Sequence, residues 1–164
     1  MGTSTQKIRM VRSLTRTTAH GTKAPGLRVM SREDIPHLGR LFLSAYVGTV
    51  DYEGESEKDA IAVVQSTFDG EFGKFLGQAS VVMERKDELV SASFITLWDR
   101  QPLLAFSVTA PAHKGSGFAG ECITASMQVL AHAAYKELNL FVTTTNAPAL
   151  SVYRRLGFSV ASAS

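Results

Sequence analysis

A chain of 164 residues with 45% apolar content is long enough to bury one core without staples, and its size suits a single domain. Its net charge is only +2, no apolar run approaches the roughly 20 residues that cross a bilayer, and no signal-peptide core opens the chain. The lone cysteine, Cys122, rules out an internal disulfide and has no neighbours at metal-ligand spacing, so the expectation is a soluble, cytoplasmic protein with no metal site and no membrane segment.

The charge is unevenly spread. Residues 1–26 carry Lys7, Arg9, Arg12, Arg16 and Lys23 without one acid; taking those five from 17 bases leaves 12 against 15 acids, so the body is near −3. Such a body makes a poor nucleic-acid footprint. The stretch is rich in Thr and Ser, ends in Ala24-Pro25-Gly26 and has little apolar periodicity. It reads as a basic N-terminal arm preceding one domain over 27–164. A flexible tail is the plain reading of the arm; a docking strand or a contact to acidic or phosphorylated partners is the alternative.

Residues 27–30 form a short strand, followed by Ser31-Arg32-Glu33-Asp34, a capping-box pattern. Ile35, Leu38, Leu41, Phe42 and Ala45 then recur at helical spacing. After Tyr46, the acids Asp51, Glu53, Glu55, Glu57 and Asp59 alternate along a loop that opens a second helix with apolar face Ile61, Val64 and Phe68. Such a run reads either as a solvated loop with helix N-terminal preference or as an acidic rim for a cationic amine.

Three strand-like runs follow at 79–84, 89–98 and 103–108, separated by the turn signals Arg85-Lys86-Asp87 and Asp99-Arg100-Gln101-Pro102. Connections this short imply an antiparallel meander. From Phe118 the period becomes helical, with Cys122, Ile123, Met127, Leu130, Ala134 and Leu138 on one face. A strand at 140–144 and a last helix capped by Asn146, with Pro148 in its first turn, complete the series. Gly157-Phe158 reads as that helix's left-handed C-cap with its hydrophobic contact.

The chemistry concentrates in 105–120, AFSVTAPAHKGSGFAG: a strand, a proline, a lysine, then glycines opening a helix. Unpaired amides and the helix dipole converge at such a turn, which suits a phosphorylated ligand. Gly115-Ser116-Gly117-Phe118-Ala119-Gly120 matches the dinucleotide pattern G-x-G-x-x-G literally. That pattern needs an acid ending the next strand about 20 residues on, to hold a ribose. Here the strand ends in Thr143-Thr144-Thr145, and only 44 residues remain after Gly120, too few for a doubly wound sheet. A Walker A loop fails as well, because no Gly-Lys-Ser/Thr stands at the required spacing.

Parsed one step earlier, the loop reads Lys114-x-x-Gly117-x-Ala119 behind Pro111. In this form the sequence resembles the GNAT superfamily of N-acetyltransferases, whose acetyl-CoA loop is Arg/Gln-x-x-Gly-x-Gly/Ala. A second segment, Asn146-Ala-Pro-Ala-Leu-Ser-Val-Tyr153-Arg-Arg-Leu-Gly157-Phe158, resembles the family's Asn-x-x-Ala-x-x-x-Tyr-x-x-x-Gly-Phe helix. The resemblance spans residues 27–158. It implies an α/β fold of the α+β type: a mixed, mostly antiparallel central sheet with flanking helices, the family's fourth and fifth strands splayed, and its seventh short or missing.

By the same resemblance, amides from Gly115, Ser116, Gly117, Phe118, Ala119 and Gly120 cradle the CoA pyrophosphate with Lys114 nearby. Val108 and Thr109 lie where the pantetheine arm pairs as a strand. Asn146 approaches the arm from the other side, and Tyr153 is the general acid for the leaving thiolate. The implied activity is acetyl transfer from acetyl-CoA to a small-molecule or peptide amine that arrives over the first two helices. A catalytically silent acyl-CoA-binding module is the alternative, because no base is evident.

Plainer readings stand beside several of these residues. Lys114 is also a solvated loop lysine, Tyr153 a packing residue, His113 a surface residue and Cys122 a core thiol. Glu84 and Asp99 end strands near the expected acceptor channel, and Ser107 faces either side of its strand. Lys114 keeps the charge of the family's Arg but not its fork. The chain has room for the family's sixth strand but hardly for its seventh, leaving a sheet edge for a second copy's strand, as in a homodimer, or for the arm.

Overall fold

A computed structural model describes residues 6–15, 24–49 and 52–162. Arg16, Lys23 and Asp51, all weighed in the sequence, lie outside the described residues. Among the described residues seven strands form one sheet: β1 (Lys7–Ser13), β2 (Leu27–Val29), β3 (Val81–Arg85), β4 (Glu88–Trp98), β5 (Gln101–Thr109), β6 (Glu137–Thr143) and β7 (Ser159–Val160). Their spatial order is β2-β3-β4-β5-β6-β1-β7. It is flanked, among the described residues, by four helices: α1 (Ile35–Tyr46), α2 (Glu57–Phe68), α3 (Phe118–His132) and α4 (Ala147–Arg155).

The meander β3-β4-β5 follows from its turns. Lys86 and Asp87 take φ of 51° and 64°, and Asp99 and Arg100 take 48° and 66°. Two successive left-handed residues make the tight hairpin whose twist matches that of the strands. Both hairpins do this without glycine, which costs some backbone strain at each position. A bulge between Phe94 and Ile95 leaves Ala105 outside the β4–β5 register.

The core divides by sheet face. On one side α1 and α2 pack Leu38, Phe42 and Val64 against Val82, Phe94 and Val108. The other side packs Ile123, Met127 and Leu130 of α3 and Leu150 of α4 against Ile95, Leu104, Leu138 and Leu140. The periodic positions Ile35, Leu38, Leu41, Phe42 and Ala45 are all buried, as an amphipathic helix requires. Ser31 and Asp34 do meet: the Ser31 amide donates to the Asp34 carboxylate at 2.8 Å. Arg28 adds a two-pronged contact to that carboxylate, 2.9 Å on each arm, and reaches Glu84 at 3.1 Å.

Two expectations need correction. Residues 7–13 of the basic arm are not a tail: β1 pairs antiparallel with β6 from Lys7↔Thr143 to Ser13↔Glu137, and with β7 at Met10↔Val160 and Val11↔Ser159. Met10 is fully buried, Arg9 donates to Asn139 Oδ1 at 2.7 Å, and Arg12 Nε donates to the Leu156 carbonyl at 2.9 Å. Ile8, Met10 and Arg12 share one face of β1, but only Met10 is fully buried, so the segment carries no alternation that would announce a strand. The slot left for a partner's strand is thus filled from within the chain.

The third helix also stops earlier than its pattern suggests. It ends at His132, Ala134 takes φ +69°, and Leu138 belongs to β6. The Tyr135 amide donates back to the Leu130 carbonyl at 3.1 Å, the bonding of a Schellman cap. Alanine sits where glycine usually announces that stop, so the sequence carried no punctuation there.

Candidate active site

The sheet opens between β5 and β6. They are its one parallel pair, and among the described residues they register only at Leu103↔Asn139, whereas β1 and β6 register over seven pairs. Past Leu103 the two strands diverge, leaving one edge of β5 without a neighbouring strand. Which groups face that gap follows from alternation. The Ala110 amide donates to the Val90 carbonyl on β4 at 2.8 Å, so the backbone of Val108 also points to β4. Backbone groups of Ser107 and Thr109 therefore point into the gap. Thr109 is among the expected residues; Ser107 was left open by the sequence and joins it through its backbone, while Val108 contributes an apolar side chain, 3% exposed, to the core.

At the mouth of the gap the chain makes a 3-10 turn over Pro111–His113 and then enters α3. Gly115 and Gly117 take φ of +84° and +83°, a region that side chains with a Cβ occupy at a cost. A Cβ built on either meets no atom within 4 Å, so conformation, not crowding, demands glycine, and the space above the loop is open. Gly117 is the N-cap of α3, and the amides of Phe118, Ala119 and Gly120 lie in the first helical turn, where no intrahelical carbonyl reaches them. Those three donors, with the positive end of a 15-residue helix behind them, can hydrogen-bond an anion.

Not every residue of the loop is equivalent. The Ser116 amide is already engaged by the His113 carbonyl at 3.2 Å. Lys114 is exposed. Phe118 packs on His113 with the rings tilted by 36° and their centres 5.6 Å apart, and carries the Arg85 guanidinium 4.9 Å above its ring. Arg85 thereby stands as a second cation beside the loop. Its position 33 residues upstream gave no sequence signal; only the β3–β4 hairpin brings it there.

Across the gap, β6 runs into α4. Asn146 Oδ1 caps this helix by accepting from the Ala149 amide at 3.3 Å. Tyr153 lies half-buried about two helical turns further on, its ring 5.9 Å from Phe158. The left-handed C-cap at Gly157 has φ +92°, and the Phe158 amide returns to the Tyr153 carbonyl at 3.0 Å. A Cβ at Gly157 would lie 2.6 Å from Arg12 Nε, so β1, α4 and this turn are fitted to one another.

Other candidates resolve into structural roles. Glu84 is ion-paired with Arg28, and Asp99 forms the β4–β5 turn. Cys122 is fully buried, and burial pushes its thiol up to about 12, which makes it unreactive near neutral pH. Of the acidic run, Asp59 exchanges capping bonds with Ser56 at 3.0 and 3.1 Å, and Glu57 pairs with Arg40 at 3.1 Å. Glu55 differs: it lines a cavity of about 170 Å³ between α1, α2 and β5, together with Phe42, Tyr46, Ala60, Val63 and Phe106. Among the described residues no helix is long and apolar enough to cross a membrane, and no group of three or more His, Cys, Asp or Glu is placed to hold a metal ion.

The profile of the Acetyltransferase (GNAT) family matches residues 43–158, and the chain belongs to that family. No curated protein matches the sequence. Among solved structures, a GNAT-family protein from Novosphingobium aromaticivorans superposes with TM-score 0.62 at 19% identity, covering 94% of this chain and 59% of that one. The chain thus spans little more than half of that relative. The PaiA N-acetyltransferase from Thermoplasma acidophilum, solved with coenzyme A, gives 0.65 at 15% identity over 84% of this chain and 91% of that one. An aminoglycoside N-acetyltransferase, AAC(6')-Iy, also solved with CoA, gives 0.65 at 13% identity over 84% and 90%. These likenesses confirm the mixed α/β fold with a mostly antiparallel, open sheet.

Proposed function

We propose that the protein is an N-acetyltransferase that takes its acetyl group from acetyl-CoA and passes it directly to a primary amine. The observation that carries this reading is the gap between β5 and β6, which ends at the unbonded amides of the α3 first turn. The open space over Gly115 and Gly117 fits a pyrophosphate, which a side chain there would displace. Phe118, Ala119 and Gly120 donate their amides to it, Gly115 and Gly117 hold the turn, and Lys114 and Arg85 add positive charge. Ser116 contributes through the shape of the turn, since its amide is spent internally.

Ser107 and Thr109 offer backbone donors and acceptors to an extended arm lying in the gap, and Val108 anchors the strand beneath it. Asn146 uses its oxygen as the helix cap and keeps its amide nitrogen for the arm. When bound, the cofactor supplies an activated acetyl thioester. Tyr153 holds a phenolic proton on the α4 side for the departing sulfur, and the amine arrives from the α1–α2 side. The buried lone thiol and absence of a second cysteine suit a cytoplasmic setting.

Isothermal titration of the full chain with acetyl-CoA tests the first half of this reading, and a thiol-release assay with amines tests the second. Saturable binding together with amine-dependent release supports an enzyme. Binding without release over a broad panel would instead leave a silent acyl-CoA-binding module, and no binding would end the reading.

A further inference from the structure

The cavity between α1, α2 and β5 defines what kind of amine this site takes. Its volume of about 170 Å³ is close to the roughly 150 Å³ apolar cavity known to hold one benzene. Its walls are the rings of Phe42, Tyr46 and Phe106 and the aliphatic Ala60 and Val63. Phe42 meets Phe106 edge-on at 4.9 Å and packs on Tyr46 at 5.5 Å with the rings tilted by 35°, so the aromatic lining is held in place by its own packing.

One charged residue borders this apolar space. Glu55 sits at its rim, and the Glu53 amide donates to its Oε2 at 2.9 Å, which orients the carboxylate and leaves acceptor capacity on both oxygens. The remaining described acids of the run are engaged in capping and in the Arg40 pair or stand in solvent, so the rim offers a single anionic contact. Phe106 is adjacent in sequence to Ser107, whose backbone faces the gap. An amine seated in the cavity therefore lies beside the strand edge along which the acetyl-bearing arm runs.

Resting on the acetyltransferase reading above, we infer that the acceptor is a small primary amine carrying one ring-sized or branched apolar group, with the cavity taking that group and Glu55 holding the ammonium as it binds. The ammonium gives one proton to solvent at the open rim, the neutral amine forms the C–N bond as the thioester C–S bond breaks, the thiolate takes the Tyr153 proton, and the second amine proton returns to solvent. Polyamines and aminoglycosides fit poorly: they bring several cations to one carboxylate and polar atoms to an apolar wall. A peptide N-terminus bearing a large apolar residue shares the chemistry but drags a polar backbone to the same rim; its preference counts as a separate outcome below.

The test measures kcat/KM of the full chain for phenethylamine, isoamylamine, ethylamine, spermidine, tobramycin and a phenylalanine-led tetrapeptide. Acetyl-CoA binding is followed separately by titration. Phenethylamine and isoamylamine should exceed ethylamine by about tenfold or more, the scale on which apolar pockets discriminate. They should also exceed the polycations and the peptide. Glu55→Gln should raise KM for phenethylamine by about tenfold with kcat little changed, the pattern of lost uniform binding. Val63→Phe, which fills the cavity, should reverse the order toward ethylamine.

A preference for spermidine, tobramycin or the peptide would overturn the inference while leaving the enzyme. So would an unmoved KM in Glu55→Gln, or no turnover of any amine by protein that binds acetyl-CoA. Absence of acetyl-CoA binding marks failure of the underlying reading instead. Phenethylamine titrated into the CoA-saturated protein gives a readout independent of turnover: the heat should be present in the wild type and at least tenfold weaker in affinity in Glu55→Gln.

Discussion

Replacing Met10 by alanine tests whether the N-terminal segment belongs to the sheet. Met10 is fully buried, opposes Leu140 on β6 and Val160 on β7, and packs within the cluster of Leu138, Leu140, Ile123 and Phe158. Truncating a buried methionine removes its transfer free energy and leaves a cavity, together about 2–4 kcal/mol. A domain of this size has only roughly 5–15 kcal/mol in hand. With a urea slope of about 2 kcal/mol per molar, the midpoint should fall by about 1–2 M. Lys7→Ala, at the exposed start of the same strand, is the control and should stay within about 0.5 kcal/mol. The assay is equilibrium urea unfolding followed by tryptophan fluorescence, since Trp98 lies beneath Arg9 of β1. A shift below about 0.5 kcal/mol for Met10→Ala would refute the claim that β1 is part of the cooperative core.

Gly117→Ala forces a Cβ into the left-handed region where no atom crowds it, so it should lower stability by about 1–2 kcal/mol. Because the turn aims the α3 amides, acetyl-CoA affinity should also drop by about tenfold or more, read by titration. Tyr153→Phe should slow amine-dependent thiol release by roughly 100-fold or more with cofactor affinity kept; unchanged turnover removes Tyr153 from the mechanism. The hydrogen bonds from Arg28 hold the Asp34 carboxyl below its ordinary 3.8, against the opposing effect of burial. Its contribution is therefore complete at neutral pH and is lost as pH falls below about 4, so the stability gap between wild type and Asp34→Asn should narrow with acidification. A gap that widened in acid would contradict the Arg28–Asp34 assignment.

Local signals carried most of the architecture. The spacing of Ile35, Leu38, Phe42 and Ala45, the Ser31–Asp34 box, the turn signals of two hairpins and the glycine C-cap at 157 each act within a few residues, and each was readable. The misses share one cause: their meaning depends on distant partners. Ala134 takes a left-handed φ because β6 must begin where α3 ends. Residues 7–13 look like a polar tail until β6 and β7 stand on either side. Arg85 reaches the loop only through a hairpin, and Asp59, Glu57 and Glu55 of the acidic run resolve into capping, pairing and one cavity-lining carboxylate only once α1 is packed on α2.

By itself the sequence determined the order of elements from residue 27 onward, the glycine-lysine loop and the Asn146–Phe158 helix, and from them the family. Helix caps, tight turns and an anion-binding helix start are short-range chemistry, written in adjacent residues. The tertiary structure alone decided that β1 fills the sheet between β6 and β7, that β5 and β6 part beyond Leu103 with Ser107 and Thr109 facing the gap, and that Phe42, Tyr46, Phe106 and Glu55 share one cavity. Those are contacts between residues far apart in the chain, set by which faces must be buried together, and no local pattern encodes them.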